Sequence, residues 1–404
     1  MANTINTIKN GPGLFAKGVA QRLSDNLKLC GFVDKADKED FGGKNGFKSG
    51  DTIYTSIPQR KIVQRDNLDI TSMNKDVVEG KAALVLDKTA TTADEFDSLE
   101  LATEVDVVNA LKRFGMPSAD ALAHDVEARC FGIVADKTYN SVGTAGSNAF
   151  TVADILAAKT ALDEELCPSN DLMLFMNSRS GAKAVDARKG LFQSAEDIKK
   201  QYREGYIGTA DGFNWVESQM LPTHANGSDV TGIAINDASV SEGSSAITVD
   251  GASAAPTVGS TFTIAGVNKV HPITKVDLGV LQQFVVSAAT TTLISISPSI
   301  YAAATSGLRN VTALPADNAA LVFVGPATTA LTQNIAMHKS AFKMVTVPLY
   351  MPKGADLVAT ETVDGITVNI VRDYDNLTRK VVTRYDVLYG FDAVRPEWSC
   401  KLTA

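Results

Sequence analysis

The chain has 404 residues, 45% hydrophobic and 21% charged, which is the balance of an ordered protein too long for one ordinary core. Its formal net charge of −8 argues against a protein devoted to gripping nucleic acid or an anionic membrane, because both tasks need a basic surface. The four cysteines, Cys30, Cys130, Cys167 and Cys400, are far apart and contain no C-x-x-C pair. They read as free thiols of a reducing compartment and not as a disulfide scaffold.

Met1 to Lys17 is polar and lacks the apolar core of a signal peptide. No apolar run approaches the roughly 20 residues that cross a bilayer, so the expectation is a soluble protein made in the cytosol with no membrane partner. Residues 1–50 carry scattered apolar positions and end in Phe41-Gly42-Gly43-Lys44-Asn45-Gly46, where dense glycine marks a connector. This segment reads as an extended N-terminal arm with a short helix near Leu14 to Cys30, or else as a poorly ordered tail. From 51 to 97 the pattern turns to short β-prone stretches, Thr52-Ile53-Tyr54-Thr55 and Ala82-Ala83-Leu84-Val85-Leu86. Between them lies a strongly charged piece, Gln59 to Asp69. Strands joined through so polar a segment predict an extended hairpin loop; a solvated surface loop is the alternative.

Residues 98–223 read as an α/β body. Leu101, Val105, Val108 and Leu111 follow helical spacing from Ser98. Pro117 interrupts, with Ser118 an acceptable N-cap for a second segment carrying Leu122, Val126, Cys130 and Ile133 to Lys137. One kinked helix or two abutting ones both fit. Thr151-Val152-Ala153-Asp154 opens a further helix with a capping box, and Cys167-Pro168 stops it after Leu166. Ile155, Leu162 and Leu166 are expected on its buried face. The apolar run Leu172-Met173-Leu174-Phe175-Met176 predicts a buried strand, and a helix through Ala184 and Val185 follows Asn177-Ser178.

The composition then shifts. Residues 224–318 hold nine charged side chains in 95, against 75 in the other 309. Short alternating strands recur at Ile233–Ile235, Ala246–Val249, Thr261–Ile264, Phe284–Val286 and Leu293–Ile296. They predict a small all-β barrel or sandwich forming a separate domain. After 318 the α/β character returns through 319–404. Gly365 to Ile370 and Val381 to Tyr389 should form an antiparallel pair around a turn at Asp373–Asn376. A β-domain flanked by two halves of one body is the pattern of an insertion.

No chemical constellation emerges. The chain has no G-x-S-x-G, no Walker lysine loop and no G-x-G-x-x-G, and Gly42-Gly43-Lys44 lacks phosphate-loop spacing. His124, His224, His271 and His338 are not paired at helical spacing, which argues against a zinc or di-iron site. Asp163, Glu164 and Glu165 read as a solvated helix end, and Ser180 has no evident base. No catalytic, cofactor-binding or metal residue is assigned, and the expectation is a protein that is not an enzyme.

The order of arm, charged hairpin, long helix, α/β body, β insertion and return strands resembles the major capsid proteins of tailed phages with the Hong Kong 97 fold. Within that group it is similar to the coat proteins of short-tailed Salmonella phages of the P-twenty-two type. The residues that carry the likeness are Asp94 to Leu99 at the entry to the spine helix, Leu221-Pro222 with Val230 to Ile233, and Phe262 to Val267. Tyr389-Gly390 with Val394-Arg395-Pro396-Glu397 adds the carboxy-terminal strand. The arm is differently composed and the insertion shorter than in that family. The resemblance implies an α+β subunit with an N-arm, an extended loop, a peripheral domain with a spine helix, an axial domain and an inserted barrel. It further implies self-association into the hexamers and pentamers of an icosahedral shell, with a scaffolding protein, a portal and non-specifically enclosed double-stranded DNA as partners. Such a shell would be assembled in the bacterial cytoplasm and end as the virion capsid. Arg60, Lys61, Arg65, Asp66 and Asp69 of the charged hairpin are the expected contacts between subunits. The rival expectation is a β-rich phage tail or adhesin component.

Overall fold

The computed structural model describes residues 11–35, 52–57, 80–97, 115–143, 151–188, 209–237, 240–303, 306–349, 354–355, 357–377 and 380–403. The chain divides into two compact units. The first comprises Met1–Thr55, Ala83–Cys130 and Lys343–Asp392, and the second comprises Ser56–Ala82, Phe131–Phe342 and Ala393–Ala404.

The first unit is built on a six-stranded sheet ordered Asp34–Lys35, Phe342–Val347, Lys380–Ala393, Ile366–Asp375, Leu357–Val363, with Lys88–Asp97 also paired to Lys380–Ala393. The expected antiparallel pair is present, but Asp373 and Tyr374 stay in register with Val382 and Val381. The turn therefore falls after Asp375 and not at 373–376. Lys88–Asp97, expected within the extended loop of 51–97, instead runs antiparallel along Lys380–Tyr389. A long strand with two open edges satisfies its backbone by recruiting a partner on each side. The short helix expected near Leu14 to Cys30 is present. Gly11–Asn26 is a helix whose Ala16, Val19, Ala20 and Leu23, at helical spacing, are all buried. They pack on Leu357–Val363 and Ile366–Asp375. Burying Val19 and Leu23 is worth roughly 1.5–3 kcal/mol each, which draws the segment onto its own subunit.

The next described helix spans Met116–Lys137. Pro117 sits in its first turn, where a missing N–H costs nothing. Ser118 lies inside that turn and donates to Asp94 Oδ2 at 3.0 Å instead of capping. Leu122, Val126 and Cys130 are buried as expected, while Val134 is buried where Ile133 is only half-buried. The choice between one kinked and two abutting helices, with Leu101 to Leu111, lies outside the described residues.

The second unit contains a seven-stranded mixed sheet ordered Asn140–Val142, Ser399–Thr403, Leu331–His338, Leu172–Met176, Phe213–Glu217, Thr209–Ala210, with Thr223–His224 paired to Leu331–His338. The predicted strand Leu172–Met176 lies inside it, flanked on both edges. The capping box closes as expected: Thr151 Oγ1 accepts from Asp154 N at 3.3 Å, and Thr151 N donates to Asp154 Oδ2 at 2.9 Å. The helix it opens, Val152–Glu164, buries Ile155, Ala158 and Leu162. Leu166, expected beside them, is 41% exposed. It adopts a left-handed φ of 58° just past the helix end, which turns its side chain outward. The helix predicted after Asn177 spans Ser178–Arg188.

In the same unit a second sheet runs Ala234–Ile235, Ser244–Asp250, Leu293–Ile300, Asp277–Ala289, Thr261–Val270, Leu321–Phe323. Its two edges are joined by Ile235 N→Ala319 O at 3.0 Å, Asn318 N→Ile235 O at 2.8 Å and Leu321 N→Ile233 O at 2.9 Å. The sheet thus closes on itself as a barrel and has no open edge there to pair with another chain. The alternate residues Ile233, Ile235, Ile247, Val249, Phe262, Ile264, Phe284, Val286, Ile294 and Ile296 form one buried core. The last strand, Leu321–Phe323, lies beyond the boundary expected at 318. Leu331 and Thr332 pair with His224 and Thr223, so the entering and leaving chains are zipped together.

Candidate assembly surface and the anchoring of the barrel

Arg60, Lys61, Arg65, Asp66 and Asp69 fall in 58–79, outside the described residues. The flanks of that segment are described. Thr52–Ile57 and Gly80–Val85 pair as a two-stranded sheet. Isolated two-stranded ribbons are marginal in water, and here Ile53, Leu84 and Leu86 join Val345 and Val347 in a buried cluster that fixes the root. Gly390 is required beside it, since a Cβ there would lie 2.6 Å from the Val85 carbonyl. The charged segment therefore starts and ends on a root anchored in apolar packing.

Within the second unit the barrel core and the core of the mixed sheet share no residue. Among the described residues, polar bonds join the two sheets. Lys269, from the barrel strand Thr261–Val270, places Nζ 3.2 Å from Glu164 Oε2 and 3.1 Å from Glu165 Oε1. Lys269 and Glu165 are 6% and 7% exposed. The expectation of a solvated acidic end is thus corrected: the helix closes at Glu164, and its last carboxylates neutralise a buried ammonium that would otherwise be costly. Gln283 docks like a strand residue, donating to Ser141 O at 2.7 Å and accepting from Ser141 N at 2.6 Å.

The third joint centres on Lys401, in the strand Ser399–Thr403. Its buried Nζ donates to Ala135 O at 3.2 Å and Gly259 O at 2.8 Å. Burial pushes the Lys401 ammonium down to about 7, opposed only in part by Asp136. Asp136 is itself pushed above its usual range by burial. Gly259 has φ 87°, and a Cβ there would meet Asp136 Oδ1 at 2.5 Å, so the approach requires glycine. His224 Nε2 lies 3.0 Å from Ser260 Oγ, and burial, then Lys401, holds this imidazole below its ordinary range.

Ser180 Oγ accepts from Asn334 Nδ2 at 3.2 Å, and His124 is exposed on its helix. Among the described residues no group of three or more His, Cys, Asp or Glu could hold a metal, and no helix is long and apolar enough to cross a membrane. The functional residues missed from sequence are Lys269 and Lys401. Lys269 carried a signal, a lone charge in a strand of a nearly uncharged segment; Lys401 carried none.

The family model described as P22 coat protein - gene protein 5 matches residues 23–403. The chain belongs to the P22 coat protein family. This coat protein is a major capsid protein, many copies of which form the shell of a phage particle, and it is therefore a virion component. The rival tail or adhesin reading falls with that match. The described residues form a sheet-rich α+β architecture. A chain from Mycobacterium phage Che8 is 12% identical, covering 93% of this chain and 90% of that one, with a TM-score of 0.48. A chain of the capsid structure of cyanophage P-SCSP1u is 12% identical over 92% and 89%, with a TM-score of 0.45. The CUS-3 coat protein I-domain is 34% identical, covering 22% of the coat protein and 93% of that chain, with a TM-score of 0.19. No curated protein matches the sequence.

Proposed function

We propose that the coat protein assembles in the bacterial cytoplasm on a scaffolding protein into an icosahedral shell, which takes up double-stranded DNA through a portal and carries out no catalysis. In this reading the charged segment 58–79 joins neighbouring subunits and the barrel braces its own subunit. The observation that carries the subunit-joining role is the apolar root of the ribbon, formed by Ile53, Leu84, Leu86, Val345 and Val347. It supplies the folding energy locally, so the charges between its strands are available to a neighbour. Mixed charges at such a contact set register and partner more than raw affinity.

Each exposed pair is worth only about 0.2–1 kcal/mol, yet a closed shell repeats every contact many times. Reversing Arg60, Lys61 and Arg65 to Glu should leave the melting temperature of the free subunit unchanged while raising the concentration needed for closed shells several-fold. High salt should partly reproduce this in the unaltered protein, because exposed pairs are screened. Electron microscopy across a concentration series reads the result. Early melting of the free triple mutant would instead place those side chains in the subunit core.

The bracing role rests on the closed barrel with its own core. A fragment of residues 223–332, cut where the entering and leaving strands pair, should give a dispersed amide NMR spectrum. A random-coil spectrum would show that the barrel depends on the rest of the chain.

A further inference from the structure

Two of the four cysteines meet. Cys30 lies in the short helix Leu29–Phe32 and Cys130 in Met116–Lys137, and both are fully buried. Their proximity is set by backbone geometry. Glu127, one turn before Cys130, accepts from Leu29 N through Oε1 and from Lys28 N through Oε2, each at 3.3 Å. That carboxylate satisfies the open amino-terminal end of the short helix and holds Cys30 against the face that carries Cys130. The neighbouring Cys130 thiol, and then burial, hold Cys30 well above the usual thiol range. Cys167 and Cys400 are placed differently: each Sγ donates to a backbone carbonyl, Pro168 O and Lys401 O respectively, both at 3.6 Å.

We propose that Cys30 and Cys130 are a redox staple, reduced in the cytosol and closed to a disulfide once the particle meets an oxidising medium. The oxidant is a low-molecular-weight disulfide, R–S–S–R. One cysteine, as thiolate, attacks it to give a mixed disulfide and one R–S⁻. The second cysteine, as thiolate, displaces the other R–S⁻. The two protons shed by the cysteines end on the two released thiols. One protein S–S bond forms, one R–S–S–R bond breaks, and two electrons pass to the oxidant. Burial and a raised thiol range make the thiolate scarce, so closure waits on local opening and is slow. Slowness protects the open form during assembly. Once closed, the bond ties the Leu29–Phe32 segment to the Met116–Lys137 helix across a loop of about 100 residues, and restricting the unfolded chain stabilises more for a long loop than for a short one.

The test uses full-length coat protein, as free subunits and as particles, incubated with oxidised glutathione in mild urea and then alkylated and digested without reductant. Mass spectrometry should find a Cys30–Cys130 peptide as the main linkage. The melting temperature should rise by several degrees and fall back with dithiothreitol. Cys130→Ser should abolish the linkage and the rise, and Cys400→Ser should leave both. The unaltered protein suffices for the decisive readout should a serine variant misfold. Glutathione adducts left on unlinked Cys30 and Cys130, linkage to Cys167 or Cys400 instead, or linkage without a melting shift would each overturn the staple.

Discussion

Lys269→Met should lower the stability of the second unit by about 3–5 kcal/mol, the usual cost of leaving a buried charge without its partner. The residue left behind is Glu165, 7% exposed, with Glu164 beside it at the helix end. Methionine keeps most of the lysine's volume, so the loss measures charge and not a cavity. Neutralising the acidic side as well, in Lys269→Met with Glu164→Gln and Glu165→Gln, should restore most of the stability, since a buried pair is often worth little against a neutral substitute. Both tryptophans, Trp215 and Trp398, lie in the second unit. Urea unfolding of free subunits followed by tryptophan fluorescence therefore reads this unit specifically. A Lys269→Met midpoint within experimental error of the unaltered protein would mean that water reaches the pair and that it does not hold the barrel.

The second consequence is for assembly. A barrel joined to its body through an ion pair, an amide and a lysine is held by directional contacts that break together. An apolar seam would tolerate sliding, because hydrophobic burial has no preferred direction. The polar joint fixes one orientation of the barrel within its unit, which is what a repeated lattice contact requires of every copy.

Periodicity carried the parts of the fold that depend on one face being buried. The barrel strands were legible because Ile247, Val249, Ile294 and Ile296 alternate with polar residues, and each of these four lies in the barrel core. The capping box at Thr151 was legible because its chemistry is local. Lys88–Asp97 was misplaced because Thr89, Ala90, Thr91 and Thr92 suit a strand of any sheet, and only the partner, nearly 300 residues away, decides which. The amino-terminal helix was legible near Leu14 to Cys30, but its packing on the sheet was not, because small residues such as Ala16 and Ala20 give a weak apolar stripe although they allow close packing. Thr367 and Asn369 of the strand Ile366–Asp375 are buried along with its apolar residues, Thr367 Oγ1 pairing with Thr362 Oγ1 and Asn369 Oδ1 accepting from Thr360 Oγ1. The joint residues were the least legible. A lysine such as Lys401 differs from a surface lysine only through carbonyls supplied by Ala135 and Gly259, both over 100 residues distant.

That same lysine should give the coat protein a stability that rises with pH between about 7 and 9. Its ammonium is held near 7 in the folded chain against 10.5 when exposed. The unfolded chain therefore binds one more proton across this interval, and unfolding is favoured wherever that proton is available. The cost of burying Lys401 is full below pH 7 and is relieved as pH climbs toward 10.5. At about 1.4 kcal/mol per pH unit, the gain from pH 7 to 9 is about 2 kcal/mol. Above 9 the sign reverses, because Cys167 and Cys400 ionise near 9 when unfolded but are pushed up to about 12 when folded, mainly by burial. His224 acts on the other side of the window, since burial lowers its imidazole from 6.5. The result is a stability maximum near pH 9 for the free subunit. Lys401→Met should abolish the rise, leaving a flat profile from 7 to 9, while the fall above 9 persists. Urea midpoints at half-unit pH steps, again by tryptophan fluorescence, decide it. Parallel profiles for the two proteins between 7 and 9 would show that Lys401 stays charged in the fold, and its bonds to Ala135 O and Gly259 O would then be those of an ammonium that water still reaches.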